Sequence, residues 1–154
     1  MFIEFEMIRD GQAPTRSNPS DAGMDVFYNP ADESTGTVVI GSGKNVMLPT
    51  AVKFGVPHGY MLQAMNRSSM AAKRSLVVGA HCIDSGYDGE VFIDLHNVGT
   101  EIQVLQPGDK IAQLVLVPIV TFRLLRGDSG MYSRYPISMS ERGDGALGST
   151  DVEQ

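Results

Sequence analysis

Short apolar runs separated by turn residues dominate the chain: Thr37 to Ile40, Val46 to Leu48, Tyr60 to Met65, Glu90 to Leu95, Glu101 to Leu105 and Lys110 to Val117. Many of them mix β-branched residues with polar alternates, the period-two pattern that turns one strand face to a core and the other to solvent. Gly41, Gly43, Pro49, Pro57, Gly59, Gly99, Pro107 and Gly108 fall in the gaps, where they end strands and shape turns. Strands so regularly spaced predict an all-β sandwich or jelly roll. Only Ser68 to Arg74, SSMAAKR, has the small, unbranched residues of a helix, with serine placed to cap its start. From Arg123 to Glu141 the pattern fails, and a glycine-rich tail, RGDGALGST, follows. The expected organisation is a single β domain over residues 1–125 and an extended C-terminal arm over residues 126–154. At roughly 3.3 Å per extended residue, such an arm is long enough to leave its own subunit and reach a neighbour.

Composition narrows the chemistry. A chain of 154 residues, 42% hydrophobic, can bury one core without disulfides or structural metal. Cys82 is the single cysteine and the three histidines lie far apart, which argues against structural zinc and redox chemistry. A net charge of −6 opposes wrapping a nucleic-acid backbone. A polyphosphate ligand remains compatible if local arginines and a divalent cation offset the field. The acidic opening, MFIEFEMIRD, lacks the positive charge of a signal peptide, and no apolar run approaches membrane-spanning length. A soluble, cytoplasmic protein is expected.

Three segments carry candidate chemistry. Gly79 to Asn97, GAHCIDSGYDGEVFIDLHN, predicts a β-hairpin with a tight turn through Asp84 to Gly89. Asp84 follows an apolar pair at the hairpin rim, where partial burial suits a general base; the alternative is an aspartate that caps the turn. Tyr87 is equally a candidate for a ligand contact or for covering a sheet edge. At Arg67 to Ser69 a strand ends and the helix begins, so side-chain donors and free backbone N–H groups converge as a phosphate site requires; a plain serine cap with a surface arginine has the same sequence. In the tail, glycines let backbone amides approach a ligand while Arg142, Ser149 and Thr150 supply phosphate donors, although a linker has similar composition. GSGKN at Gly41 to Asn45 lacks the first glycine and final Ser/Thr of a P-loop and reads as a turn. Met24, Met61, Met65 and Met70 read as core fillers.

Taken in order, AGMDV at Ala22, NRSSM at Asn66, GAHCIDSGYDGEV at Gly79, PGDKIAQLVLVP at Pro107 and RGDGALGST at Arg142 resemble the five signature blocks of the trimeric dUTP diphosphatases. Order and spacing both match, from about Ala22 to Thr150. The resemblance implies a jelly-roll homotrimer with active sites between subunits, closed by the C-terminal arm, that hydrolyses dUTP to dUMP and pyrophosphate with Mg²⁺. It implies Asp84 as the general base that activates water, and Tyr87 beneath the deoxyribose, where a ribose 2′-hydroxyl would clash. Main-chain groups of Val78, Gly79, Ala80, Cys82 and Ile83 would read uracil, and a closed wall would exclude a 5-methyl. Arg67, Ser68, Ser69 and Gln113 would contact the phosphate chain. Asp25 would order water around a magnesium ion held chiefly by the phosphates and water. Arg142, Gly148, Ser149 and Thr150 would close over the γ-phosphate, with Leu147 covering the base.

The chain departs from the family pattern in two places. The tail has Leu147 where phenylalanine is usual and Ala146 where glycine is usual, which implies weaker stacking and looser closure. His81 stands where glycine is common, and Asp94 stands where the related dCTP deaminases place a catalytic glutamate, three residues before an asparagine. A dCTP deaminase, or a bifunctional dCTP deaminase/dUTPase, is therefore the alternative reading. Ala72 argues against it, because the deaminases carry an arginine shortly after the serine pair. A non-catalytic, nucleotide-binding regulatory trimer is a third reading, which the intact Asp84 and Arg142 oppose.

Overall fold

The computed structural model describes residues 1–32 and 36–127. The chain divides into two units, Met1–Thr121 and Phe122–Gln154, and every element below belongs to the first. In chain order these are β1 (Glu4–Met7), β2 (Met24–Phe27), β3 (Val38–Ile40), β4 (Asn45–Pro49), β5 (Val52–Gly55), β6 (Tyr60–Met65), α1 (Ser68–Arg74), β7 (Leu76–Val78), β8 (Cys82–Asp84), β9 (Phe92–Asn97), β10 (Gln103–Leu105) and β11 (Lys110–Pro118). Strand β9 shows why apolar and polar residues alternate: Ile93, Leu95 and Asn97 are buried, while Phe92, Asp94 and His96 face outward. The same alternation buries Leu62 and Ala64 of β6.

A four-stranded sheet runs in the order β2-β11-β6-β8 and a three-stranded sheet in the order β4-β9-β7, with β1-β5 and β10-β3 as two-stranded ribbons. Every pairing is antiparallel. Val26, Leu62, Ala64, Ile111 and Leu114 from the first sheet and Leu48, Leu76, Val78, Ile93 and Leu95 from the second share one hydrophobic cluster. This is the all-β architecture with one short helix that the strand spacing predicts. Each of the predicted runs overlaps a strand, and GSGKN is the turn between β3 and β4, with Gly43 at φ 69°. Among the described residues no helix is long and apolar enough to cross a membrane.

Four expectations need correction. The helix spans Ser68–Arg74 as predicted, but its N-cap is Arg67, with no side-chain capping bond. Ser68 is already helical, so its hydroxyl is one position too late to cap. The segment Gly79 to Asn97 is not a hairpin: β8 pairs with β6, whereas β9 pairs with β4 and β7. Its two arms enter different sheets, so the turn between them is an arch. Of these four methionines only Met70 is buried; Met24 and Met61 are half-buried, and Met65 is 40% exposed. Finally, Asp84 is exposed in the chain and not partly buried. The predicted residues Arg142, Leu147, Gly148, Ser149 and Thr150 lie outside the described residues.

Candidate active site

Two clusters collect the predicted residues, one at each end of β6. Between Lys110 and Ala112 the pairing of β11 with β2 slips, so that Ile111 and Ala112 are both buried and Gln113 turns outward. Gln113 then stands opposite Met65, at the end of β6, and its Nε2 donates to the Asn66 carbonyl at 2.9 Å. Asp25 stands opposite Gln113 on the other side of β11. Its carboxylate accepts from Arg67 Nε at 2.8 Å and from Lys110 Nζ at 2.7 Å. Burial works to raise the Asp25 carboxyl, but the hydrogen bond from Lys110 and the Arg67 guanidinium together outweigh it and hold the pKa below the usual carboxylate range. Asp25 is therefore an anchored anion between two cations. Ser68 and Ser69, exposed in the first turn of α1, follow directly. Lys110 is a member of this cluster that the sequence does not single out, although it lies inside the PGDKIAQLVLVP block.

The second cluster forms where the arch leaves β8. Asp84 pairs with Met61, four residues back along β6 from Met65, or about 13 Å at strand spacing. The turn after it closes through main chain, Tyr87 N–H to the Asp84 carbonyl at 3.2 Å, with Gly86 at φ 88°, a conformation that favours glycine. The Asp84 side chain takes no part in that closure. Among the described residues its carboxylate has no hydrogen bond or ion pair, so the turn-capping role is not what the geometry displays. Cys82, Ile83, Asp84 and Tyr87 line a cavity of about 210 Å³ together with Met47, Glu90 and Phe92. A larger cavity of about 440 Å³, between Arg9–Gln12 and Pro107–Gly108, contains none of the predicted residues.

The main chain between β7 and β8 divides into engaged and open groups. Val78 N–H donates to Asn66 Oδ1 at 2.7 Å, and Gly79 N–H donates to the Asp94 carbonyl at 2.9 Å. Ala80 is exposed in the bend between the strands. Ala64 N–H donates to the His81 carbonyl at 2.8 Å, and His81 Nδ1 lies 2.9 Å from the Ala64 carbonyl. Because a carbonyl only accepts, that ring nitrogen carries the proton, and the imidazole takes the place of a main-chain donor in the β6–β8 ladder. In an antiparallel ladder successive residues point alternately toward and away from the partner strand. His81 and Ile83 face β6, so Cys82 presents its N–H and C=O along the outer edge of β8, which among the described residues is the last strand of its sheet.

Asp94 faces outward from β9 and accepts from Asn45 Nδ2 and His96 Nε2, each at 2.9 Å. Burial acts to raise its carboxyl, yet the Asn45 and His96 hydrogen bonds prevail and its pKa is lowered. A deaminase needs an acid/base at this point that takes up a proton readily. Asp94 is arranged in the opposite sense.

Among the described residues no group of three or more His, Cys, Asp or Glu side chains is placed to hold a metal. Asp25 is the acidic side chain of the Arg67 cluster, and both its oxygens already receive cationic donors. That donor set fits contact with a cation through water and does not fit direct ligation.

The family model described as dUTPase matches residues 9–150. A deoxyuridine 5′-triphosphate nucleotidohydrolase of Bdellovibrio bacteriovorus is 36% identical over 144 residues, covering 91% of this chain and 88% of its own. One from Chlamydia pneumoniae is 30% identical over 152 residues, covering 97% and 98%. Among solved structures, a mutant dUTPase of Staphylococcus bacteriophage 80alpha with dUpNHpp is similar at a TM-score of 0.79 and 25% identity, over 97% of this chain and 98% of that one. A mutant dUTPase from phage phi11 of S. aureus, described for its coordination of a structural Mg(II) ion, is similar at a TM-score of 0.73 and 25% identity, over 84% and 98%. The fold and the two clusters define an all-β protein with a cavity at one end of β6 and a cationic patch at the other. The chain belongs to the dUTPase family.

Proposed function

We infer that this chain hydrolyses dUTP to dUMP and pyrophosphate. The observation that carries the reading is the Asp84 carboxylate, without a partner among the described residues, lining the same cavity as Tyr87, within a family match spanning residues 9–150. Asp84 accepts a proton from water as the water oxygen attacks the α-phosphorus; the bond from that phosphorus to the bridging oxygen breaks, and pyrophosphate leaves. Cys82 on the open edge of β8 offers one donor and one acceptor. They match the O4 acceptor and N3–H donor of uracil, whereas cytosine has a donor at N4 and an acceptor at N3. Tyr87 supports the deoxyribose and leaves no room for a 2′-hydroxyl. Arg67, Ser68, Ser69 and Gln113 bind the phosphate chain, and Asp25 with Lys110 holds Arg67 in place for it.

The roughly 13 Å of strand between Asp84 and the Arg67 cluster supports a site assembled from two subunits of a homotrimer. The arm from residue 126 supplies Arg142, Leu147, Gly148, Ser149 and Thr150 to the site, closing it against water. Mg²⁺ carried by the triphosphate would offset its charge, and Asp25 is the residue that would contact it, through water. A highly charged nucleotide stays in the compartment where it is made, which supports a cytoplasmic location.

Incubating the protein with dUTP, dCTP, dTTP and UTP in the presence of magnesium, and measuring pyrophosphate and ammonia separately, tests the reading. Pyrophosphate from dUTP, with no ammonia from dCTP, is the expected result. Ammonia release from dCTP would replace it with deamination, and inactivity on all four would favour a binding role.

A further inference from the structure

The cavity wall at Tyr87 is held from behind by a pair that no role so far explains. Tyr87 Oη donates to the Glu90 carbonyl at 2.9 Å, folding the ring back over the turn. A Cβ at Gly89 would fall on the Tyr87 hydroxyl end, so the ring depends on that glycine for its position. Glu90 in turn is fixed on several sides. Its carboxylate accepts both Nη groups of Arg9, one at 2.8 Å, and the Ala51 N–H at 2.8 Å. Arg9 Nη2 also donates to the Asn29 carbonyl at 3.0 Å. The next residue, Val91, donates to the Val52 carbonyl and accepts from Thr50 Oγ1 at 2.7 Å.

These contacts are not equal. Lys53–Asp88 also crosses to the turn, but Asp88 is 89% exposed, so solvent screens that pair. The Arg9 and Glu90 side chains are only 23% and 12% exposed. A bidentate guanidinium–carboxylate pair at that burial fixes direction as well as distance. Ala51, which donates to Glu90, sits at φ 61°, an uncommon conformation for a residue with a side chain that persists where its surroundings hold it.

We propose that the Arg9–Glu90 pair is a positioning device for sugar selection: it fixes the carbonyl that receives the Tyr87 hydroxyl, and so sets the ring against which a 2′-hydroxyl is rejected. The proposal rests on the reading of Tyr87 as the deoxyribose support. Rejection of one added hydroxyl requires a wall that does not yield, because a pliable apolar pocket discriminates weakly against it. Arg9 does not line the Tyr87 cavity and would act through Glu90 and Tyr87.

The test compares kcat and KM for dUTP and UTP in Arg9→Ala, Arg9→Lys, Glu90→Gln, Tyr87→Phe and Tyr87→Ala, with hydrogen exchange of residues 84–91 as a second readout. Arg9→Ala is expected to raise the UTP-to-dUTP ratio of kcat/KM about tenfold, chiefly through a lower KM for UTP, with Arg9→Lys restoring part of the loss. Exchange over 84–91 is expected to quicken. In the Tyr87→Phe background, which lacks the hydroxyl, Arg9→Ala should change the ratio no further. If Arg9→Ala fails to fold, Glu90→Gln keeps the side-chain shape and the acceptor for Ala51 and reads the same ratio. Equal losses on both nucleotides with unchanged exchange would overturn the proposal. If Tyr87→Ala left the ratio unchanged, the sugar-support reading would fall instead, and exchange over 84–91 would still report whether Arg9 holds the turn.

Discussion

Replacing Asp84 by asparagine is expected to lower kcat for dUTP by about 10²–10⁴, the usual contribution of a positioned general base. The substitution keeps the size and shape of the side chain and removes only its ability to take a proton from water. Because the Asp84 carboxylate has no partner among the described residues, nothing in the fold is lost with it. Its exposure places the stability change within about 0.5 kcal/mol. Pyrophosphate release should therefore collapse while the melting temperature and calorimetric binding of dUTP stay near their original values. Turnover at the original rate would remove Asp84 from the chemistry.

The second large effect is expected from ending the chain before Arg142. Among the described residues the core cluster draws its members from Ile3 to Leu116, and the truncated protein is expected to melt close to the full-length one. Its kcat/KM for dUTP should fall by about 10² or more, as when a donor to developing charge is removed. That separation of activity from stability is the signature of an arm that acts on substrate. Full activity after truncation would mean that the site closes without it.

The local pattern of the chain made the sheets legible but not their partners. Tyr60–Met65 and Lys110–Pro118 are long enough for alternation to declare them strands. Glu4–Met7, Met24–Phe27 and Leu76–Val78 are only three or four residues long, too short for a period-two pattern to stand out. The arch from Asp84 to Phe92 reads locally as a hairpin because its turn residues are those of one. What separates its arms is the choice of β6 over β9 as partner for β8, which is decided across the whole fold.

In the site, Asp84 and Tyr87 were legible because their block is contiguous in sequence. The anchoring of Asp25 was not, since its partners Arg67 and Lys110 lie 42 and 85 residues away. The Arg9–Glu90 pair spans 81 residues and was hidden for the same reason. His81, which departs from the family pattern, has a structural explanation: its ring supplies the donor that Ala64 requires at the end of the β6–β8 ladder. Asp94, the other departure, is occupied by Asn45 and His96.

Turnover of dUTP in ¹⁸O-labelled water, followed by mass spectrometry of both products, tests the central claim most directly. Water attack at the α-phosphorus predicts one ¹⁸O in dUMP and none in pyrophosphate. Label in pyrophosphate would place the attack on the β-phosphorus and contradict the account.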